Sequence, residues 1–96
     1  MIGMSETEPL VITLIATPRG CRKCAASEEL VARLLERHPG RIEYHRITTE
    51  DEAAAQYGVV MPPMLIVGDL VVATGRVPRE DLLERYVAQQ LGEGTT

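Results

Sequence analysis

Apolar and polar positions fall in blocks along the chain, and the period changes from block to block. Leu10–Ala16 reads Leu-Val-Ile-Thr-Leu-Ile-Ala, a short, β-branched and nearly continuous apolar run. Such a run predicts a strand buried on both faces, inside a sheet covered by helices. Thr17-Pro18-Arg19-Gly20 interrupts it. After Cys21 the pattern becomes helical and continues to about residue 37. Leu30, Val31, Leu34 and Leu35 form its apolar stripe, while Glu28, Glu29, Arg33 and Glu36 face water. His38-Pro39-Gly40 is the stop signal.

Residues 41–47 alternate, Ile42 and Tyr44 against Glu43 and His45, and predict a second strand. Thr49-x-x-Glu52 fits a capping box that opens a short helix through Ala53, Ala54 and Ala55 to Gly58. Met64–Val67 and residues 70–73 are two apolar strands joined by Gly68-Asp69, a two-residue hairpin turn. Pro78 suits the first turn of a last helix, with Leu82, Leu83, Tyr86, Val87 and Leu91 inward and Gly92 past its end. The order is β-α-β-α-β-β-α. Its first β-α-β is expected to be parallel and right-handed. The hairpin adds antiparallel strands, so the fold class is α/β with a mixed sheet. With no internal repeat or linker, residues 10–92 read as a single domain between flexible segments 1–9 and 93–96.

Composition narrows the choice of function. Ninety-six residues exclude a two-domain enzyme. With no Trp, no Phe and three Tyr, the core must be aliphatic. A net charge of −4 argues against a general nucleic-acid binder, which needs surplus Lys and Arg. No run of about 18 apolar residues occurs, so no membrane span is expected. Residues 1–9 carry Glu6 and Glu8 and no basic region, so a secretory signal is not expected either. The expected compartment is the cytoplasm, where disulfides seldom serve as staples. A close cysteine pair there is more often redox-active or metal-binding.

That pair is Cys21-Arg22-Lys23-Cys24, set where a strand hands over to a helix. Cys21 falls at or near the helix N-terminus, where free N–H groups and the helix dipole favour an anion. Arg19, Arg22 and Lys23 add positive charge and are expected to stabilise a thiolate. Such surroundings lower a thiol pKa from about 8.5 toward roughly 3.5–7.5. The thiolate is the nucleophile, so Cys21 is the expected attacking group. Cys24, one helical turn on and more buried, can reach the Cys21 sulfur and resolve a mixed disulfide. Three other readings use the same residues: an inert stapling disulfide, half of a four-ligand zinc site for which only His38 and His45 remain as nitrogen candidates, or a soft-metal carrier assisted by Met61 and Met64. His38 otherwise reads as a favourable charge at a helix C-terminus, His45 as a solvent-facing strand residue, and the methionines as core.

These residues resemble the thioredoxin superfamily, specifically its small glutaredoxin-like members, over about residues 10–91. The resemblance rests on the Cys-x-x-Cys after the first strand. It also rests on Gly58-Val-Val-Met-Pro-Pro63 leading into Met-Leu-Ile-Val, the Gly68-Asp69 turn, Leu-Val-Val-Ala-Thr-Gly75 and Arg-Val-Pro78. It implies a thioredoxin-like fold with a four-stranded mixed sheet flanked by helices. A nucleophilic first cysteine is implied too, with a cis-proline facing the pair. Pro63 matches that proline by register with the turn, and Pro62 competes for the role. Met61, Pro62, Pro63 and Gly75 are the implied substrate-binding residues.

Departures are visible. Gly20 stands where a tryptophan usually precedes the pair, and Ile15 where a buried acid usually lies. The double glycine of many glutaredoxins is reduced to Thr74-Gly75-Arg76. Pro62, before the expected cis residue, has no N–H to offer a substrate backbone.

The expected function is thiol-disulfide oxidoreductase. The Cys21/Cys24 couple exchanges electrons with protein disulfides and is recycled by a separate flavoprotein or thiol reductase. No bound cofactor, nucleic acid or membrane is expected, and the chain is read as a monomer whose partners carry an acidic docking patch. The alternative is a non-catalytic thioredoxin-fold binding module or copper-type carrier.

Overall fold

Leu10–Ala16 forms β1 and occupies an inner position of the sheet, with a partner on each side. The structure, a computed structural model, describes residues 8–58 and 60–92. Residues 1–7 of the segment expected to be flexible, all of 93–96, and Val59 lie outside the described residues. After β1 come α1 (Arg22–Arg37), β2 (Ile42–Thr48), a 3-10 helix (Glu52–Tyr57), β3 (Met64–Val67), β4 (Leu70–Thr74) and α2 (Glu80–Gln90). The strand order is β2-β1-β3-β4. β1 runs parallel to β2 and antiparallel to β3, and β3 runs antiparallel to β4, so the sheet is mixed as expected. Val67 pairs with Leu70 across the Gly68-Asp69 turn, where Gly68 adopts φ 61°, a conformation glycine reaches without strain.

Alternation along β1 sorts its side chains between two cores. Ile12 and Leu14 join Leu65 and Val67 under Leu30, Val31 and Leu34 of α1 and Leu83 and Val87 of α2. Ile15 points the other way and packs with Met64, Ile66 and Ala54, flanked by Ile47, Tyr57 and Val60. Each fully buried side chain of this size contributes about 1.5–3 kcal/mol.

Three local expectations need correction. β1 is not buried on both faces throughout. Val11 is 37% exposed, because the short 3-10 helix shields the second face only around Ile15. Thr49 is not a helix cap. Thr48 still belongs to β2 opposite Ala16, Thr49 N–H donates to the Ala16 carbonyl, and the Asp51 carboxylate accepts from Thr48 N at 2.7 Å. The chain thus leaves the sheet late and has room for one 3-10 segment rather than a capped α-helix. Pro78 lies before α2, which starts at Glu80 with Arg79 in the cap position. That start turns Leu83 and Val87 inward and leaves Leu82 48% exposed, with Tyr86 and Leu91 half-buried. His38 stands at the C-terminal end of α1 as expected. It is buried as the C-cap of α1, and its Nε2 lies 2.8 Å from Glu84 Oε2 on α2. His45 is exposed on β2 as expected and pairs with Glu43.

Candidate functional site

Strand register brings four chain segments to one end of the sheet. Ala16 lies opposite Thr48, Ile15 opposite Met64, and Met64 opposite Thr74. The end of β1, the end of β2, the start of β3 and the end of β4 therefore share an edge. The loop to Cys21, the Met61–Pro63 approach and the Gly75 turn all leave from it. From β1 the chain first goes to β2 on one side and later to β3 on the other. In open α/β sheets this kind of switch beyond a strand's carboxyl end is where ligands bind.

Cys21 is the N-cap of α1, in extended backbone (φ −162°, ψ 166°). Its Sγ accepts the Cys24 backbone N–H at 3.0 Å, doing for the helix what a Ser or Asp oxygen usually does. The Cys21 and Cys24 sulfurs lie at disulfide distance, with Cα atoms 5.0 Å apart. Cys21 is exposed and Cys24 is 1% exposed, so the two ends of the bond differ sharply in access. The first turn of α1 contains no acidic residue and begins with Arg22 and Lys23, both exposed. Helix starts normally prefer carboxylates. Cations here add to the dipole instead of opposing it, and that favours negative charge on the capping sulfur.

Lys23 Nζ reaches the Gly75 carbonyl, 3.5 Å away, and so links the cysteine turn to the turn after β4. Gly75 N–H donates to the Pro63 carbonyl at 2.8 Å, and Thr74 Oγ1 donates to the Met61 carbonyl at 3.4 Å. Gly75 has φ 73°, and a Cβ there would stand 3.7 Å from Met61 Cβ. Lys23, Gly75, Met61 and Pro63 are thus assembled at one end with the pair. The Pro62–Pro63 peptide bond is cis. Pro63 is buried, Pro62 half-buried and Met61 63% exposed. Arg19 and Arg22 are exposed, and no hydrogen bond ties either to a cysteine among the described residues. Beside Gly75, Arg76 borders a groove of about 150 Å³ with Val72, Pro78, Leu82 and Tyr86. A larger cavity of about 350 Å³ opens at the opposite end, by Pro9, Leu10, Arg41 and Leu91, and none of the expected site residues lines it.

Ile15 is fully buried on β1, so no carboxylate stands at that position. Sequence reasoning missed Ser27, buried on α1 one turn beyond Cys24. Its signal was available: Cys24, Ser27, Val31 and Leu34 are spaced to share one helix face. The Lys23–Gly75 contact had none, because it spans 52 residues.

Comparison with known proteins agrees with this geometry. Deadhead, the germline-specific thioredoxin of Drosophila melanogaster, is 17% identical with a TM-score of 0.62, over 88% of this chain and 84% of that one. Thioredoxin-2 of the malaria parasite is 13% identical with a TM-score of 0.65, over 84% and 82%. A chain from a structure on thiol resolving in the yeast mitochondrial 1-Cys peroxiredoxin via glutathione/thioredoxin systems is 10% identical with a TM-score of 0.64, over 88% and 81%. Among curated proteins, none matches the sequence. The sequence model of the thioredoxin domain family matches residues 11–88, nearly the whole described fold. With that match and its Cys21–Cys24 pair, the chain belongs to the thioredoxin superfamily of redox proteins.

Proposed function

We propose that this protein is a cytoplasmic thiol-disulfide oxidoreductase that acts on protein disulfides. The Cys21 thiolate attacks one sulfur of a substrate disulfide. The substrate S–S bond breaks, a Cys21–substrate disulfide forms, and the first substrate thiolate leaves and takes a proton from water. Cys24, as thiolate, then attacks Cys21 Sγ. The Cys21–Cys24 bond forms, the second substrate thiolate leaves, and two electrons have passed to the substrate. A separate flavoprotein or thiol reductase returns the pair to the dithiol, and the chain needs no bound cofactor of its own. Met61, Pro62, Pro63 and Gly75 receive the substrate backbone. Arg19, Arg22 and Lys23 stabilise the thiolate and favour partners with acidic surfaces.

One observation carries the reading: an exposed cysteine caps a helix whose first turn is cationic and free of carboxylates, and its buried partner sits one turn on. The experiment is a thiol count with and without reductant, followed by turnover against a model protein disulfide. Two thiols per chain after reduction and none after oxidation are expected, with loss of turnover in Cys21→Ser and a trapped mixed disulfide in Cys24→Ser. Two thiols that never cycle would leave a binding module or metal carrier in its place.

A further inference from the structure

Ser27 is the one buried polar residue on the core face of α1, at 1% exposure, and its Oγ has no hydrogen-bond partner among the described residues. A serine within a helix can usually donate to the carbonyl four residues earlier. Ser27 makes no such bond. An orphaned buried hydroxyl is costly, and its persistence asks for a state in which it is satisfied. Among the described residues two other buried hydroxyls are orphaned, Thr17 in the loop after β1 and Tyr44 on the edge strand β2. Ser27 differs from both in its relation to the cysteines. It lies three residues after Cys24 on the same buried helix face. Positions so spaced are neighbours on a helix, so the Ser27 and Cys24 side chains lie next to each other on that face.

The sulfur of Cys24 has different needs in the two redox states. In the disulfide it is a poor acceptor with no charge. When an external thiolate attacks Cys21 Sγ, the Cys21–Cys24 bond breaks, a mixed disulfide forms on Cys21, and the electron pair leaves on Cys24 as a thiolate. That thiolate is buried, and Ile15 supplies no polar group from β1. We propose that the Ser27 hydroxyl donates a hydrogen bond to the Cys24 sulfur whenever the pair is opened. Ser27 thereby stabilises the dithiol form and the leaving thiolate, and the disulfide form carries the unsatisfied donor. The inference rests on the redox reading above.

The test is the equilibrium of the purified full chain with reduced and oxidised dithiothreitol, for wild type, Ser27→Ala and Ser27→Thr. Ser27→Ala is expected to lower the dithiol-to-disulfide ratio about tenfold, which for a two-electron couple is about 30 mV more reducing. Cleavage of the disulfide by dithiothreitol slows in parallel. Ser27→Thr, which keeps the hydroxyl, stays near wild type. A purely structural serine moves the unfolding midpoints of the oxidised and reduced proteins equally and leaves the ratio unchanged. That result, or a threonine variant that behaves like alanine, overturns the proposal and leaves the oxidoreductase reading intact. A wild-type pair that does not equilibrate with dithiothreitol overturns both.

Discussion

The two α-helices start in opposite chemical surroundings. α2 opens with Glu80 and Asp81, and cations from outside meet them: Arg33 and Arg37 of α1 bind Glu80, and Arg79 binds Asp81. Its dipole is balanced by side chains of its own first turn, and the same ion pairs dock it on α1. α1 opens with Arg22 and Lys23, and neither meets a carboxylate among the described residues. Its cap is a sulfur. Farther along, the cations of that helix are all engaged, Arg33 and Arg37 with Glu80 and Glu84. One helix therefore commits its C-terminal charge to architecture and leaves its N-terminal cations beside the cysteine pair with no carboxylate against them among the described residues. The balanced start accompanies packing of one helix on the other, and the start left cationic stands at the cysteine pair.

The severest test removes what both starts share. Leu34, 1% exposed, lies in the core under both helices. Leu34→Ala is expected to cost about 2–5 kcal/mol, read as a drop in the denaturant midpoint of the oxidised protein. A loss below about 1 kcal/mol would mean that the helices do not depend on this contact.

The next test makes α1 start as α2 does. Arg22→Glu with Lys23→Glu should slow attack of Cys21 on a model disulfide about tenfold at low salt, and the deficit should shrink as salt is added. Matching reversals at Arg33 and Arg37 should lower stability and leave that rate unchanged. Equal rate effects at the two ends would erase the contrast.

A smaller effect is expected at the docking strip. Pro62 lacks a backbone N–H. Pro62→Thr restores one, and should raise the rate of mixed-disulfide formation with a peptide disulfide about threefold, the worth of one modest hydrogen bond. Unchanged rates would count against substrate pairing at this residue.

The smallest effect is at α2. The Arg33 hydrogen bond, helped by the charges of Arg33 and Arg37, holds the Glu80 carboxyl below its usual range. The unfolded chain therefore takes up that proton first as pH falls. Stability from the pair is present above the usual carboxylate range and is lost as acid carries the pH down through it. Thermal unfolding of wild type should fall more steeply between pH 6 and 3 than that of Glu80→Gln, by a modest margin because the pair is exposed. Parallel curves would show that the bridge contributes nothing.

Much of this was legible in the chain. The β-branched run at Leu10–Ala16, the stripe through Leu30 and Leu34 and the Gly68-Asp69 turn each fix an element by local chemistry, and all three formed. Cys-x-x-Cys after the first strand marked the candidate site for the same reason: strand, break and helix cap are local. What escaped depends on distant partners. Thr49 looked like a cap because the competing β2 pairing with Ala16 and the Asp51 carboxylate cannot be seen in a capping pattern. Leu82 looked like core because the inward face of α2 is set by the start of the helix at Glu80 and by the packing of Leu83 and Val87 on distant strand residues. His38 was legible as a helix-end residue, and its pairing with Glu84 was not, because Glu84 lies 46 residues away. Ser27 passed unnoticed as one small polar residue, until burial left its hydroxyl without a partner.

The position of β1 has a kinetic side. The first strand of the described chain is bonded on both edges, to β2 after one helix and to β3 only after residue 63. While the protein is being synthesised, β1 and β2 can pair early, but the other edge of β1 stays bare until β3 is made. An unpaired strand edge with apolar neighbours is prone to misassociation. The hairpin β3–β4, built from a short local turn, covers that edge and leaves β4 at the margin of the sheet, and the same step brings Gly75 to Lys23 beside the cysteines.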